Sequence, residues 1–341
     1  MFKNGVIFFM SSPKSVKLTS SEMASLWSEY ISHTHNSCVL QYFISKAEDI
    51  EVLDVLKKTY QIVENLKDNT KQILQSENVP IPIGFGSQDV DVNAPRLFSD
   101  SFFLKYIKNL SRIMVVTCGL MFTLSTRKDT REHFKKSLSE ATIIFDNVSD
   151  VLLDKGLYTR PPFIEPPKKS DFVENKDYMN GVNLFGNQRY LNAVEISHLY
   201  GNIEANVLGK ALTQGFGQTA DLKEVREFMQ KSADITEKII NEHTQFLTDS
   251  DLSAPMPSET QVFSSSHPPF SDKLMMYQIT ILSAAGLSDY ATSLATSQRN
   301  DLKRHYMDLL GDTAKLAKKA EALMVENKWK EQPPQQDKIK Y

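Results

Sequence analysis

Apolar residues recur along most of this chain at a spacing of three and four, the period that places them on one face of an α-helix. The clearest of these stripes comprises Phe134, Leu138, Ala141, Phe145, Val148 and Leu152. Other segments show the same period, and together they fall into two groups of four. The pattern therefore predicts an all-α protein.

The two groups of helices are diverged copies of one unit. Segment 18–27 aligns with 191–200, and the triplet Phe-Ser-Asp at 98–100 returns at 270–272. From the triplet the alignment runs without a gap to a pair of prolines in each copy. Identities that are sparse but fall at element starts and ends in the same order indicate a duplication.

The repeat divides the chain into five parts. We predict a lead-in at 1–17, a first four-helix bundle at 18–162, a linker at 163–190, a second four-helix bundle at 191–334 and a tail at 335–341. Prolines and glycines break any helical period in the linker, as is typical of a segment between domains. Within the lead-in, Met10 is an alternative natural start to Met1.

The lengths of the connections predict how each bundle is wired. Short turns join helices one and two and helices three and four, whereas the segment 77–97 separates helix two from helix three. This pattern is typical of two antiparallel hairpins joined by a crossover, with helices two and three parallel. The predicted fold is therefore two tandem ferritin-like four-helix bundles, each with a long crossover between helices 2 and 3.

Polar residues that recur in both copies have a structural explanation at helix starts. Thr19 with Glu22, and Asn192 with Glu195, have the spacing of a capping box, in which each side chain bonds a free amide of the first turn. The serines of the two Phe-Ser-Asp triplets are predicted to cap the third helix of each copy, and the acids to favour its positive end. Asp221 is predicted to cap another helix.

Composition and charge exclude some classes of function. The 39 Lys and Arg are matched by 42 Asp and Glu, without a basic cluster, so we expect no nucleic-acid partner. The longest apolar run, 113–124, is shorter than the roughly 18 residues of a membrane span, so we expect none. The two cysteines, Cys38 and Cys118, provide no disulfide framework and indicate a reducing, cytoplasmic location.

Several short motifs resemble a known family. They are Pro-Ile-Gly-Phe at 82–85, Ala-Pro-Arg-Leu-Phe-Ser-Asp at 94–100, Lys-Gly-Leu-Tyr at 155–158, Ala-Val-Glu-Ile-Ser-His at 193–198 and Phe-Ser-Asp-Lys-Leu-Met-Met at 270–276. Together they resemble the domain of unknown function 3231 family of endospore-forming bacteria, over residues 16–334. The resemblance implies tandem ferritin-like bundles and, because some members are labelled spore-coat-like, an association with the spore. It supplies no catalytic residues.

A ferritin-like bundle could hold a di-iron or di-manganese centre. Such a centre needs a Glu from each of two helices and a Glu-x-x-His motif from each of the other two. Glu195-Ile-Ser-His198 is the only such motif on a predicted helix, and its Glu is already assigned to a cap. We therefore predict no metal site, cofactor or catalytic residue, with iron or manganese as the alternative.

Five residues are the candidates for a site under that alternative. They are His305, Asp308, Asp312, Glu204 and Asp289, all in the second copy. Asp308 and Asp312 follow His305 at helical spacing, although packing at the bundle rim is the simpler interpretation of this histidine. Glu204 and Asp289 are mid-helix acids without an acidic counterpart in the first copy. We expect any site to lie around Glu204, Asp289 and His305.

These observations favour a non-enzymatic structural or interaction protein, associated with the spore and acting through protein partners or self-association. The first alternative is a ferritin-like oxidoreductase or metal store that binds iron or manganese. The second is a small-molecule binder that uses a groove between helices or between the two copies. Metal analysis of the purified protein separates the first two.

Overall fold

The computed structural model describes residues 16–173, 176–180, 189–255 and 262–336 of the 341-residue chain. Within these ranges the chain forms α1 (Ser20–Lys46), α2 (Ile50–Ser76), α3 (Asp100–Leu124), α4 (Lys128–Asp154), α5 (Ala193–Thr219), α6 (Lys223–Thr248), α7 (Asp272–Thr296) and α8 (Asn300–Glu326). Short 3-10 helices lie at Ser87–Asp89 and Lys176–Met179. The described ranges contain no β-strand, and the predicted all-α fold with four helices in each copy is confirmed.

Each copy is built from two antiparallel hairpins. Three-residue turns join α1 to α2 and α3 to α4, whereas residues 77–99 cross from α2 to α3 and residues 249–271 from α6 to α7. Glu22, at the start of α1, accepts hydrogen bonds from two amides of the turn at the end of α3. Because α1 is thus antiparallel to both α2 and α3, these two run parallel. The predicted crossover is confirmed.

In each bundle one buried glutamate joins the two hairpins at one end. Glu22 and Glu195 complete the predicted capping boxes with Thr19 and Asn192. Each also accepts hydrogen bonds from two amides of the α3–α4 or α7–α8 turn, at 2.7–3.0 Å. Burial raises the pKa of Glu22, but its hydrogen bonds outweigh burial and lower the pKa to about 2. The residues that cap a helix therefore also join the two hairpins.

The two Phe-Ser-Asp triplets join the hairpins at the other end. Ser99 and Ser271 cap α3 and α7, as expected. Asp100 and Asp272 instead reach across the bundle and accept hydrogen bonds from amides of the α1–α2 and α5–α6 turns. The prediction that Asp221 caps a helix is wrong, because α6 begins without a side-chain cap and its preceding amides bond to Asp272.

The two bundles share one hydrophobic core where their crossovers meet. Phe98 stacks on Phe102, with 4.2 Å between ring centroids, and also contacts Phe216 of α5. Gly215 permits this approach, because a Cβ there would lie 2.7 Å from the Phe98 ring. Two isolated β-bridges pair one crossover with the other. The copies are therefore in contact through apolar packing as well as through the chain between them.

The segments between and beyond the bundles are described in part. Residues 1–15, which include Met10, lie outside the described residues, as do 174–175, 181–188, 256–261 and 337–341. In the predicted linker, Phe163 is 78% exposed and Phe172 is 94% exposed. The division of the chain at 163–190 stays a prediction that limited proteolysis can test.

One helix among the described residues, α3, is long and apolar enough to cross a membrane by length and composition alone. Core helices of bundles pass the same test. Here α3 forms a hairpin with α4, and its first half carries the buried residues Phe102, Phe103 and Ile107. Only 28% of the apolar window of α3 is buried, but a single such helix is weak evidence, and the described residues include no clear membrane span.

Candidate functional site

The two mid-helix acids predicted as candidate ligands form ion pairs between the copies. Glu204 of α5 bonds to Lys108 of α3 at 2.7 Å. Asp289 of α7 bonds to Arg112 of α3, also across the junction, at 3.0 Å. Glu204 and Asp289 lack acidic counterparts in the first copy because they face cations that only the first copy contributes. Their asymmetry thus has a structural cause in the junction.

The other three candidates lie apart from this junction. His305 faces Glu242, with 3.9 Å between Nδ1 and Oε2, and burial lowers its pKa. Asp308 is exposed, and Asp312 pairs with Lys315 on the surface. Within the part of the chain that the structure describes, no group of three or more His, Cys, Asp or Glu side chains could hold a metal ion. Glu204 and Asp289 thus lie at the junction of the copies and His305 apart from it, so the structure does not bring together the three residues around which a site was expected under the metal-binding alternative.

A buried ionisable cluster instead occupies the middle of the first bundle. Glu29 of α1 lies 2.5 Å from His133 Nε2 of α4. The hydroxyl of Thr70 on α2 lies 3.0 Å from the same carboxylate, and Ser137 donates a hydrogen bond to its other oxygen at 2.9 Å. His33, one turn after Glu29 on α1, places Nε2 at 3.5 Å from Oε1. The cluster thus joins three helices of the bundle.

The carboxyl group of Glu29 is held in its ionised form. Burial raises its pKa, but the hydrogen bond and charge of His133, together with the nearby imidazole of His33, outweigh burial and leave the pKa well below its usual range. A buried carboxylate persists only where such partners compensate for the loss of water. The structure thus places His133, the counterpart of His305 in the first copy, beside a buried charge.

The second bundle has an uncharged cluster at the corresponding positions. In the alignment of the copies, Asn202 stands for Glu29, Asn206 for His33 and His243 for Thr70. Asn202 donates a hydrogen bond to Ser293, and Asn206 donates one to Tyr290. Burial lowers the pKa of His243 to about 3, so this imidazole is neutral at physiological pH. One copy thus has a charged centre and the other a neutral one.

A cleft opens beside the charged cluster, between α1, α3 and α7. Its volume is about 370 Å³, compared with about 200 Å³ for a cavity near the C-terminal segment and about 90 Å³ for each of two others. The cleft exists because α1 and α3 pack less closely than their counterparts α5 and α7. It therefore lies in the first copy, with one wall supplied by the second.

The walls of the cleft are mostly apolar. Val116 and Leu120 of α3 line it, and each is 59% exposed. Their counterparts in the second copy are the polar residues Ser288 and Thr292. Glu29 and His33 lie on the α1 side, and the ion pair of Arg112 with Asp289 borders the cleft at the junction of the copies. A cleft whose exposed surface is mostly apolar is typical of a small-molecule site, and polar side chains occur among the lining residues as well.

Sequence reasoning missed Glu29 and His33 as a pair. The motif of a di-metal centre is Glu-x-x-His, and the spacing of Glu29 and His33 does not match it. The signal available was a Glu and a His four residues apart, which lie on one face of a helix. Their burial, however, depends on α3 and α4, and no spacing within α1 predicts it.

Comparisons with known proteins agree with the repeat. A family model described as "Protein of unknown function (DUF3231)" matches residues 8–169 and again residues 179–340. A solved structure from Bacillus halodurans C-125, described as a "putative spore coat protein", is 20% identical. It covers 47% of this chain and 99% of its own, with a TM-score of 0.39, at which the likeness does not bear on function. The comparison with curated proteins found no match.

Proposed function

The chain belongs to the DUF3231 family of proteins of unknown function, and we propose that it is a non-enzymatic binding protein that holds a small, largely apolar molecule in the cleft between α1, α3 and α7. The observation that carries the proposal is the cleft itself, where apolar walls meet the buried imidazole of His33, whose ring nitrogens have no hydrogen-bond partner among the described residues.

The size and lining of the cleft support this function. Ligand sites in proteins are clefts of roughly 300–1,000 Å³ with mainly apolar walls and a few fixed polar groups. The volume of about 370 Å³ falls within that range. An engineered cavity of about 150 Å³ is already large enough to bind benzene. A molecule with an apolar body larger than one aromatic ring therefore fits here.

The chemistry of the lining residues favours binding over catalysis. The oxygens of Glu29 accept hydrogen bonds from the protein, and its pKa lies far below that of a general base that works near neutral pH. Burial raises the pKa of the Cys118 thiol to about 12, which keeps this cleft residue in its unreactive protonated form. Neither side chain is prepared for proton transfer or nucleophilic attack.

A fluorescence titration tests the proposal. 1-Aminoanthracene, an uncharged dye that brightens in apolar surroundings, should bind saturably with one molecule per chain. Ala284→Trp should weaken binding at least tenfold, because Ala284 lines the cleft from α7. Ala314→Trp is the matched control, since Ala314 is exposed on α8 and lines none of the four cavities. Equal binding by both variants, or no saturable binding, would refute the proposal.

Spore association and protein partners belong to the same proposal. The spore-coat-like label of some family members supports the former, and the exposed apolar side chain of Leu124, at the end of α3 and outside the cleft lining, supports self-association or a protein partner. A tagged chain should be recovered with purified spores, and sedimentation should report its assembly state. If the chain is instead a monomer confined to the cytoplasm of growing cells, spore association and protein partners are both contradicted, and only the ligand-binding part of the proposal stands.

Iron or manganese binding is the alternative function. A carboxylate near two imidazoles supports it, but both Glu29 oxygens already accept hydrogen bonds from protein donors. Elemental analysis after purification without chelators tests this alternative. Stoichiometric iron or manganese that is lost in Glu29→Gln would favour metal binding over the proposal made here.

A further inference from the structure

The charges that line the cleft are already paired within the protein. Arg112 contacts both carboxylate oxygens of Asp289, at 3.2 and 3.0 Å. Glu29 is held by His133 and Ser137. A charged ligand would have to lose its water against apolar walls, and none of the described lining residues offers it a free counter-charge. Such desolvation is costly when it is not compensated.

His33 differs from the other buried polar residues of the cleft. Neither of its ring nitrogens has a hydrogen-bond partner in the described ranges, although its side chain is only 3% exposed. Its Nε2 lies 3.5 Å from Glu29 Oε1, an ion-pair contact when the imidazole is protonated, but without the geometry of a hydrogen bond. Buried polar atoms are nearly always hydrogen-bonded, and because His33 lines the cleft, a molecule bound there can supply the bond that the protein does not.

We infer that the ligand of this cleft is an uncharged molecule with an apolar body and one hydroxyl or carbonyl group, which pairs with His33. The inference rests on the proposed function. An imidazole has two ring nitrogens that form hydrogen bonds, so it suits either group. The apolar body lies against Val116 and Leu120, away from the ion pair at the junction. Carboxylates and amines of the same length are disfavoured, because the paired charges leave nothing to neutralise them.

A displacement series with matched head groups tests the class of ligand. 1-Aminoanthracene bound to the full chain is titrated at pH 7.5 with 1-octanol, octanoate and octylammonium, which share one apolar body. We expect octanol to displace the dye at a concentration at least tenfold lower than either ion.

Substitutions of His33 test its role as the polar contact. His33→Leu should weaken octanol binding about three- to tenfold, the range of a single hydrogen bond. His33→Asn copies Asn206 of the second copy, keeps hydrogen-bonding groups and should restore part of the loss. His35→Leu is the control, because His35 is equally buried and packs against Phe85 and Tyr277 but does not itself line the cleft. Circular dichroism of each variant establishes that it is folded.

The outcomes separate the inference from the function on which it rests. If the dye does not bind saturably, the proposed function fails. If the dye binds and either ion displaces it at a concentration as low as octanol does, the inference is overturned and the binding function stands. The inference is also overturned if octanol does not compete, or if folded His33→Leu binds octanol as tightly as the original chain.

Discussion

The buried carboxylate of Glu29 makes a specific prediction about stability. Glu29→Gln preserves the shape of the side chain but removes its charge and replaces one acceptor oxygen with a donor amide. The substitution loses a charge-assisted hydrogen bond with His133, of about 1.5–3 kcal/mol, and leaves at least one buried donor unpaired, at about 1–3 kcal/mol. We expect a loss of about 3 kcal/mol, at the lower end of the range for breaking a buried ion pair.

Urea unfolding at pH 7 measures this loss as a shift of the midpoint. Glu132→Gln is the control, because Glu132 pairs with Lys128 on the surface, where such pairs contribute about 0–1 kcal/mol. A Glu29→Gln variant within about 0.5 kcal/mol of the original chain would refute the reasoning.

The same cluster predicts a pH dependence with a definite sign. The pKa of Glu29 is lowered in the folded state, so its stabilisation is complete above the unfolded pKa of about 4.3 and is lost as the pH falls below it. The difference in unfolding free energy between the original chain and Glu29→Gln should therefore shrink between about pH 5 and pH 3. A difference that stays constant over this interval would contradict the assignment of the charge to Glu29.

Three further predictions concern the frame around the site. Ser99→Ala should lower the free energy of urea unfolding by about 1 kcal/mol, the usual value of a helix cap. Ser271→Ala should lower it further, because the Ser271 hydroxyl both caps α7 and donates a hydrogen bond to Asp89 of the other crossover at 2.7 Å. Chymotrypsin should cut first at the exposed phenylalanines within 163–173, whereas a first cut inside a helix would contradict the division into two bundles. Burial raises the pKa of Cys38 and Cys118 to about 12, so maleimide should label neither at pH 7.5 without urea, and rapid labelling would show the sites to be open.

The fold could be predicted because its determinants are local in the sequence. Helical spacing, the capping boxes at Glu22 and Glu195 and the lengths of the connections are each visible within a few residues. The second role of the repeated acids was not visible. Asp100 and Asp272 were predicted to stabilise the positive ends of the helices that they begin. In the structure they accept hydrogen bonds from the turn of the neighbouring hairpin, and that contact exists only after the hairpins have packed.

The candidate site could not be predicted because it depends on the distance between helices. Mid-helix acids that occur in only one copy suggested a site in the second bundle, but Glu204 and Asp289 pair with cations of the first. Glu29 is likewise a mid-helix acid that occurs in only one copy, because the second copy has Asn202 at this position. The sequence alone could not show which unmatched acid faces a partner copy and which is buried within its own bundle.

Comparison of the two bundles connects the charge of Glu29 to the cleft. A buried ion pair contributes little net stability, since uncharged groups that pack well often replace it without loss. The second bundle is such a replacement, with Asn202 and Asn206 in a neutral hydrogen-bonded cluster beside a closer contact of α5 with α7 and a smaller cavity of about 90 Å³. The same four-helix unit therefore does not need the charge in order to fold. In the first bundle the charge occurs together with a looser contact between α1 and α3 and with an imidazole, His33, that faces the cleft and has no hydrogen-bond partner among the described residues. His243 of the second bundle is likewise buried without a hydrogen-bond partner, so a bound ligand explains the cleft beside His33 and not the imidazole alone.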